Sequence, residues 1–284
     1  MSHVIAGDTR IAYSIEGRGP TVVFLHGTAA SSSQWAAIRT ALAGRCATVA
    51  LDLHGYGASD PWPGHRRLTL DDEAAAVAAV LRGVDGPVHL VGHSYGGAVA
   101  LNFALARPGR LSSLTLIEPV SFHLLRDGDA VDQRALHEVR RVAACVAAGM
   151  CDDDPARGLE GFVDYWNGRG TWVEIPPARQ AALCGMAGTI MQNFEAAIDD
   201  PWQIRDCAGL HLPTLLLTGE RTTRAARRIG ARLAATLPCV ISRLVEGAGH
   251  MLPRSHPQTV LQAIASHLAP AADGEALACR LSAA

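Results

Sequence analysis

The chain has 284 residues, and its 25 basic side chains against 27 acidic ones leave a formal charge of -2. Every basic side chain is an arginine, which excludes pyridoxal-phosphate enzymes, lysine aldolases and phosphate-loop nucleotide hydrolases, because each of these classes needs a lysine. The near-neutral balance gives no electrostatic basis for binding nucleic acid or a membrane surface.

The composition also bears on the location of the protein. No apolar run reaches the roughly 18 residues that a membrane-spanning helix needs. Residues 1–17 carry Asp8 and Glu16 and no long apolar block, so they do not resemble a secretory signal. The seven cysteines are an odd number and show no metal-binding spacing. We therefore expect a cytoplasmic protein that uses no cofactor and no metal.

Short apolar runs alternate with helical patterns, which predicts an α/β fold with a mostly parallel sheet. The predicted strands, in chain order, cover residues 11–15, 21–25, 47–51, 87–91, 114–117, 213–217 and 240–245. The predicted helices cover residues 35–42, 71–81, 96–106, 224–237 and 257–268, with Asp71 as the expected N-cap of the second. Runs this apolar are typical of strands covered on both faces, so we expect helices on both sides of the sheet.

One interval breaks this alternation. Between Ile117 and Pro213 there is no convincing strand pattern, whereas residues 133–148 and 177–198 have helical patterns. We therefore expect a helical cap over residues 121–209, inserted into a core made of residues 1–120 and 210–284. Residues 269–284 are Ala-rich and weakly patterned, and they fit either a frayed tail or a short packed helix.

The most informative motif is Gly92-x-Ser94-x-Gly96, which directly follows a predicted strand and directly precedes a predicted helix. The chain must reverse sharply there, which strains Ser94, exposes its hydroxyl and leaves no room for side chains at the flanking positions. The helix that follows directs free N–H donors toward the reacting centre, so the backbone N–H of Tyr95 would face a developing oxyanion. This context predicts that Ser94 is a nucleophile.

With this motif the chain resembles the α/β-hydrolase superfamily, and four further segments match in order over most of the chain. They are Phe24–Thr28, Asp52–Ser59, Leu215–Glu220 and Gly247–His250. The resemblance implies the α/β-hydrolase fold, a mostly parallel twisted sheet with helices on both faces and an inserted helical cap. It also implies that the backbone N–H of Thr28 is the second oxyanion donor and that His26 flanks the pocket.

The resemblance implies His250 as the general base, because it follows a strand and comes last in the order Ser, acid, His. Many members carry an Asp after the penultimate strand, but here that position falls on Thr222. Two carboxylates remain: Glu220 in the same loop, and Glu118 at the end of the strand after the nucleophile helix. We favour Glu118, because a carboxylate that emerges from the core one strand away from Ser94 needs a partner such as the His250 ring.

These residues imply a serine hydrolase that cleaves a small carboxylic ester or thioester through an acyl-enzyme on Ser94. Two alternatives stay open: a carbon–carbon bond hydrolase acting on a diketone-type substrate, and a non-catalytic ligand-binding protein with the same fold. The expected partner is a small apolar or amphipathic substrate, with no nucleic acid and no membrane; a homodimer stays open. Aromatic residues of the cap fit its own core, with Trp166 as the candidate for a pocket wall.

Overall fold

The computed structural model describes residues 1–268, which contain one eight-stranded sheet in the order β1-β2-β4-β3-β5-β6-β7-β8. The strands β1 and β2 and the strands β2 and β4 pair antiparallel, and all the other neighbours pair parallel. The strands are β1 Ser2–Ala6, β2 Thr9–Glu16, β3 Thr21–Leu25, β4 Ala47–Leu51, β5 Val88–His93, β6 Leu111–Ile117, β7 Thr214–Gly219 and β8 Val240–Val245. The expected α/β fold with a mostly parallel sheet is therefore confirmed. The expectation for residues 269–284 lies outside the described residues.

The helices alternate with the strands outside one long helical interval. They are α1 Ala36–Leu42, α2 Leu70–Leu81, α3 Tyr95–Ala106, α4 Ala130–Cys151, α5 Pro155–Asn167, α6 Thr171–Glu174, α7 Pro177–Cys184, α8 Ala187–Asp199, α9 Arg224–Thr236, α10 Leu252–Ser255 and α11 Pro257–Leu268. Short 3-10 turns occupy Ser32–Trp35, Pro108–Arg110, Phe122–Leu125 and Ile204–Gly209. Within residues 1–268, none of the helices is long and apolar enough to cross a bilayer.

Helices cover both faces of the sheet. Successive side chains of a strand point to opposite faces, so β3 contributes to two separate cores. Val22 and Phe24 pack with residues of α1 and α11. Val23 and Leu25 lie in the larger core, which also contains apolar side chains of α2, α3 and α9. Burial on both faces explains why the parallel strands have continuous apolar sequences.

Two local features differ from the sequence-based expectation. The strand β1 is not predicted, because its residues are exposed or half-buried and show no apolar run; the turn at Gly7, which has a positive φ of 58°, joins it to β2. The helix α2 begins at Leu70, and Asp71 is not its N-cap. Instead the Thr69 hydroxyl accepts from the Asp72 N–H at 3.3 Å, and the Asp72 carboxylate accepts from the Thr69 N–H at 3.0 Å. These reciprocal bonds form a capping box.

The interval between β6 and β7, which the structure describes in full, consists of helices joined by short loops and contains no strand. Residues 121–209, here called the helical insertion, comprise two 3-10 turns and the helices α4 to α8. The pattern over residues 177–198 is divided, because α7 ends at Cys184 and α8 begins at Ala187. Leu136 and Val139 of α4, Leu159 of α5 and Ile190 of α8 are buried together in the larger core, so the insertion packs continuously with the rest of the chain.

A buried ion cluster ties the insertion to the core. Asp132 of α4 is 1% exposed, and its carboxylate lies 2.6 Å from the Arg232 guanidinium of α9. The same carboxylate also pairs with Arg228 of α9. Burial alone would raise the pKa of Asp132, but the hydrogen bonds and charges of the two arginines hold it below its ordinary value. The cluster therefore stabilises the contact between α4 and α9.

We expect Asp132→Ala to lower the free energy of unfolding by about 2 kcal/mol, because Arg232 loses its carboxylate partner and Arg228 keeps only Asp129. The matched control is Asp152→Ala, since Asp152 pairs with Arg157 at 4.0 Å on the exposed surface. That change should cost less than about 1 kcal/mol. Urea denaturation of both variants checks the prediction, which is wrong if the two losses are equal.

Candidate active site

Ser94 occupies the sharp turn between β5 and α3. Its backbone has a positive φ of 54°, a conformation that a non-glycine residue rarely adopts. A Cβ atom at Gly92 would lie 2.2 Å from the Gly96 carbonyl oxygen, and one at Gly96 would lie 2.5 Å from that of Leu25. Both positions therefore require glycine. The Ser94 N–H donates to the Ile117 carbonyl at 2.9 Å, which fixes the turn against the end of β6.

The His250 ring links Ser94 to a carboxylate. His250 follows β8 and is 3% exposed. Its Nε2 atom lies 2.9 Å from Ser94 Oγ, and its Nδ1 atom lies 3.0 Å from Glu118 Oε2. An imidazole protonated on Nδ1 donates to the carboxylate, which leaves Nε2 free to accept the hydroxyl proton of Ser94. The arrangement can therefore move a proton from Ser94 to His250.

Glu118 is held from several sides. It lies directly after β6, is 1% exposed and has a positive φ of 51°. Its Oε1 atom accepts from the Gly219 N–H at 2.7 Å, and its Oε2 atom accepts from the Thr222 hydroxyl. Thr222 occupies the position at which the resemblance places an Asp, so its hydroxyl orients a carboxylate that comes from the neighbouring strand. These bonds aim Glu118 Oε2 at His250.

Glu220 lies apart from this chain of hydrogen bonds. Its side chain is exposed, and its Oε2 atom accepts from the Gly247 N–H at 2.8 Å. It therefore supports the base of the loop that carries His250. Of the two carboxylates that the sequence leaves open, the structure brings Glu118 to the His250 ring.

A second set of hydrogen bonds holds the same loop from the other side. The His93 Nε2 atom lies 2.9 Å from the His250 carbonyl oxygen, and its Nδ1 atom lies 3.2 Å from Gln34 Nε2. The Gln34 side-chain oxygen in turn accepts from the Gly27 N–H at 3.2 Å. Burial, helped by the nearby His250, lowers the pKa of His93 to about 3, so this imidazole stays neutral and donates through Nε2. The sequence contains no local signal for this role of Gln34.

The loop after β3 passes beside Ser94. A Cβ atom at Gly27 would lie 3.1 Å from Ser94 Cβ, and both Thr28 and Tyr95 line the cavity next to the serine. Asn193 of α8 fixes this loop, because its side-chain oxygen accepts from the Thr28 hydroxyl at 3.1 Å. Sequence reasoning missed Asn193. The arrangement can present the backbone N–H groups of Thr28 and Tyr95 to an oxyanion formed at Ser94.

The structure places His26 behind this loop, away from the position expected for a pocket wall. Its side chain is fully buried, and its Nδ1 atom donates to the Gly27 carbonyl oxygen at 2.7 Å. Its Nε2 atom accepts from the Leu53 N–H at 3.0 Å. Burial lowers the pKa of His26, so the ring is neutral and serves to hold the loop. A fully buried imidazole engaged at both nitrogens has no surface for a substrate.

A cavity of about 570 Å³ opens above Ser94 and His250. Its wall is mainly apolar and comes largely from the helical insertion: Phe122, Phe162, Val163, Trp166, Leu183, Ile190 and Phe194. Trp166, the sequence-based candidate for this wall, lies there with its ring centroid 4.2 Å from that of His250. Within residues 1–268, His, Cys, Asp and Glu side chains form no cluster suited to a metal ion. The cavity can enclose a small apolar group next to the Ser94 hydroxyl.

Comparison with known proteins identifies the family. Residues 22–263 match the model of the alpha/beta hydrolase family. The chain belongs to this family. It is 28% identical over 269 residues to a pimeloyl-[acyl-carrier protein] methyl ester esterase of Methylococcus capsulatus, which covers 89% of this chain and 96% of that protein. It is 30% identical over 236 residues to the lipase LipV of Mycobacterium tuberculosis, covering 78% of this chain and 83% of that one.

A solved structure agrees with these sequence matches. The fold is similar to that of a hydrolase from Pseudomonas aeruginosa, with a TM-score of 0.73, 25% identity and coverage of 95% of this chain and 98% of the other. The three proteins named here are an esterase, a lipase and a hydrolase. The chain is therefore an enzyme of the hydrolase class.

The neutral His93 leads to a prediction about acid stability. Its pKa falls from 6.5 to about 3 on folding, so protons bind the unfolded chain more readily in that interval. Its contribution to stability is complete above pH 6.5 and declines by about 1.4 kcal/mol per pH unit as the pH falls toward 3. We expect His93→Gln to unfold with a shallower dependence on pH between 6 and 4, measured by urea denaturation. The exposed His65→Gln should keep the wild-type slope, and equal slopes for all three proteins would contradict the prediction.

Proposed function

We propose that this hydrolase is a serine esterase, which cleaves a small carboxylic ester or thioester through an acyl-enzyme on Ser94. One observation carries the proposal: contacts of 3.0 and 2.9 Å join Glu118 to His250 and His250 to Ser94, and His250 and Ser94 line a mainly apolar cavity. This is the geometry that acid, base and nucleophile need for acyl transfer. The named esterase and lipase among the relatives support cleavage of an ester bond.

The first step forms the acyl-enzyme. His250 Nε2 removes the hydroxyl proton of Ser94 while Ser94 Oγ attacks the carbonyl carbon of the substrate. The backbone N–H groups of Thr28 and Tyr95 stabilise the negative charge that develops on the carbonyl oxygen, and each such donor contributes roughly 3 kcal/mol to the transition state. Glu118 stabilises the imidazolium that forms. His250 then gives its proton to the leaving alcohol or thiol.

The second step releases the acid. Water enters in place of the leaving group, and His250 Nε2 accepts a proton as the water oxygen attacks the acyl carbon. The same N–H donors stabilise the second oxyanion. Collapse of this intermediate returns the proton to Ser94 Oγ and frees the carboxylic acid.

The helical insertion acts as the cap of this site in the proposed function. Aromatic and aliphatic side chains from α5, α7 and α8 form much of the apolar part of the cavity wall, which favours an apolar group in the bound substrate. Arg179, Glu174 and Arg254 also line the cavity and are polar enough to accommodate the hydrated end of an amphipathic substrate. A small apolar or amphipathic ester fits both features.

We expect Ser94→Ala to lower kcat on p-nitrophenyl esters by about a millionfold, because the nucleophile is removed. Ser266→Ala, on the exposed face of α11, is the matched control and should keep full activity. A panel of p-nitrophenyl esters from acetate to octanoate measures the effect and the preferred acyl length. Wild type should be labelled by a fluorophosphonate probe, and Ser94→Ala should not.

The same experiment separates the rival functions. A non-catalytic ligand-binding homologue would leave both the probe and the esters unreacted. A carbon–carbon bond hydrolase would turn over a diketone-type substrate much faster than any ester of the panel. Either result would contradict the proposed esterase function.

Glu118→Gln should lower kcat by roughly ten-thousandfold, because an amide no longer stabilises the imidazolium of His250. Glu220→Gln is the matched control, since the same change is made in an exposed residue of the neighbouring loop. It should retain most of the activity. Loss of turnover in Glu220→Gln alone, with circular dichroism unchanged in both variants, would assign the acid to Glu220.

A further inference from the structure

An aromatic ring of the helical insertion lies directly on the His250 ring. The centroids of the Trp166 and His250 rings are 4.2 Å apart, and their planes meet at 32°. Trp166 is 9% exposed and His250 is 3% exposed, so both rings are shielded from solvent. The indole therefore covers one face of the imidazole that hydrogen-bonds to Ser94.

Neighbouring rings hold the indole in this position. Phe122 stacks on Trp166 with centroids 6.2 Å apart and planes at 24°. Tyr165 meets it edge to face at 4.8 Å. Packing on these sides limits rotation of the Trp166 side chain and keeps its ring against His250.

In the proposed reaction the Trp166 ring lies next to a group whose charge changes, the His250 imidazole. In each of the two proposed steps His250 accepts a proton and becomes an imidazolium before it passes the proton on. An aromatic face attracts a cation that lies within about 6 Å of its centroid, and indole does so most strongly. The attraction is larger where water is excluded, as it is between these two buried rings.

We propose that Trp166 is a positioning residue of the reaction: its indole face stabilises the imidazolium form of His250 and holds the imidazole plane between Glu118 and Ser94. This inference rests on the proposed function of Ser94 and His250. It assigns the helical insertion a part in the proton transfer, in addition to its part in the cavity wall.

Other groups also face the loop that carries His250. Glu118 lies at the end of β6, Glu220 follows β7, and Arg254 of α10 lines the same cavity. The His93 ring lies on the side of β5, with its centroid 5.3 Å from that of His250. These groups are the same in the wild type and in the Trp166 variants below. A difference in activity or pH profile between those proteins is therefore due to the change at Trp166.

The test compares Trp166→Leu with Trp166→Phe on p-nitrophenyl acetate, whose acyl group is too short to fill the cavity. We expect Trp166→Leu to lower kcat about tenfold while KM changes less than about threefold, because the imidazolium loses its aromatic face. The acid limb of kcat/KM should move to lower pH by about one unit, which corresponds to the same tenfold change. Trp166→Phe keeps an aromatic face and should restore most of the activity.

The matched control is Trp172→Leu, which removes a buried indole from α6 of the insertion. It should leave the acid limb of the pH profile at the wild-type position. The proposal is overturned if Trp166→Leu behaves as wild type on p-nitrophenyl acetate and loses activity only as the acyl chain lengthens. Trp166 would then act only by contacting the substrate as part of the cavity wall. It is overturned as well if Leu and Phe variants lose activity equally with no shift in the acid limb.

The outcomes for Ser94 keep this proposal distinct from the proposed function. If Ser94→Ala retains activity, the serine esterase function itself fails. If Ser94→Ala is inactive while Trp166→Leu matches wild type in rate and pH profile, the esterase function stands and the role of Trp166 fails.

Discussion

The close approach of backbone segments at the turn after β5 is the constraint on which the site depends. Neither Gly92 nor Gly96 has room for a Cβ atom, so the chain can reverse there only with glycine at both positions. Two hydrogen bonds hold the turn against β6 and the loop that follows it: the Ser94 N–H donates to the Ile117 carbonyl, and the Val120 N–H donates to the Ser94 carbonyl. The strained serine is thereby held against the end of β6, where Glu118 emerges.

The carboxylate of this site follows β6, whereas the resemblance places it after the neighbouring strand β7. The ends of parallel strands lie side by side, so a residue after β6 and a residue after β7 can reach the same imidazole nitrogen. Here Glu118 reaches His250 from β6, and the Thr222 hydroxyl after β7 donates to that carboxylate. The buried charge gains a partner from each neighbouring segment, which offsets the cost of its desolvation.

The helical insertion and the core share the site. Asn193 is buried, and its side-chain oxygen accepts from the hydroxyls of Thr28 and Tyr56, both of which belong to loops of the core. Trp166 contacts His250 from the same side of the cavity. Buried polar groups require such partners. The position of the helical insertion and the conformation of the loop after β3 therefore depend on each other.

The sequence by itself determined the family, the α/β architecture and the turn that carries Ser94, because apolar runs of strand length and a glycine-spaced motif are local signals. It predicted the bounds of β3, β4 and β8 but not β1, whose exposed residues carry no such signal. The sequence favoured Glu118 over Glu220 as the partner of His250, but both follow strand ends, and only the tertiary structure shows Glu118 at the His250 ring. The structure also shows that His26 lies behind the loop after β3 and that the Trp166 ring lies on the His250 ring. These contacts join residues far apart in the chain, and their distances depend on how the sheet and the helices pack.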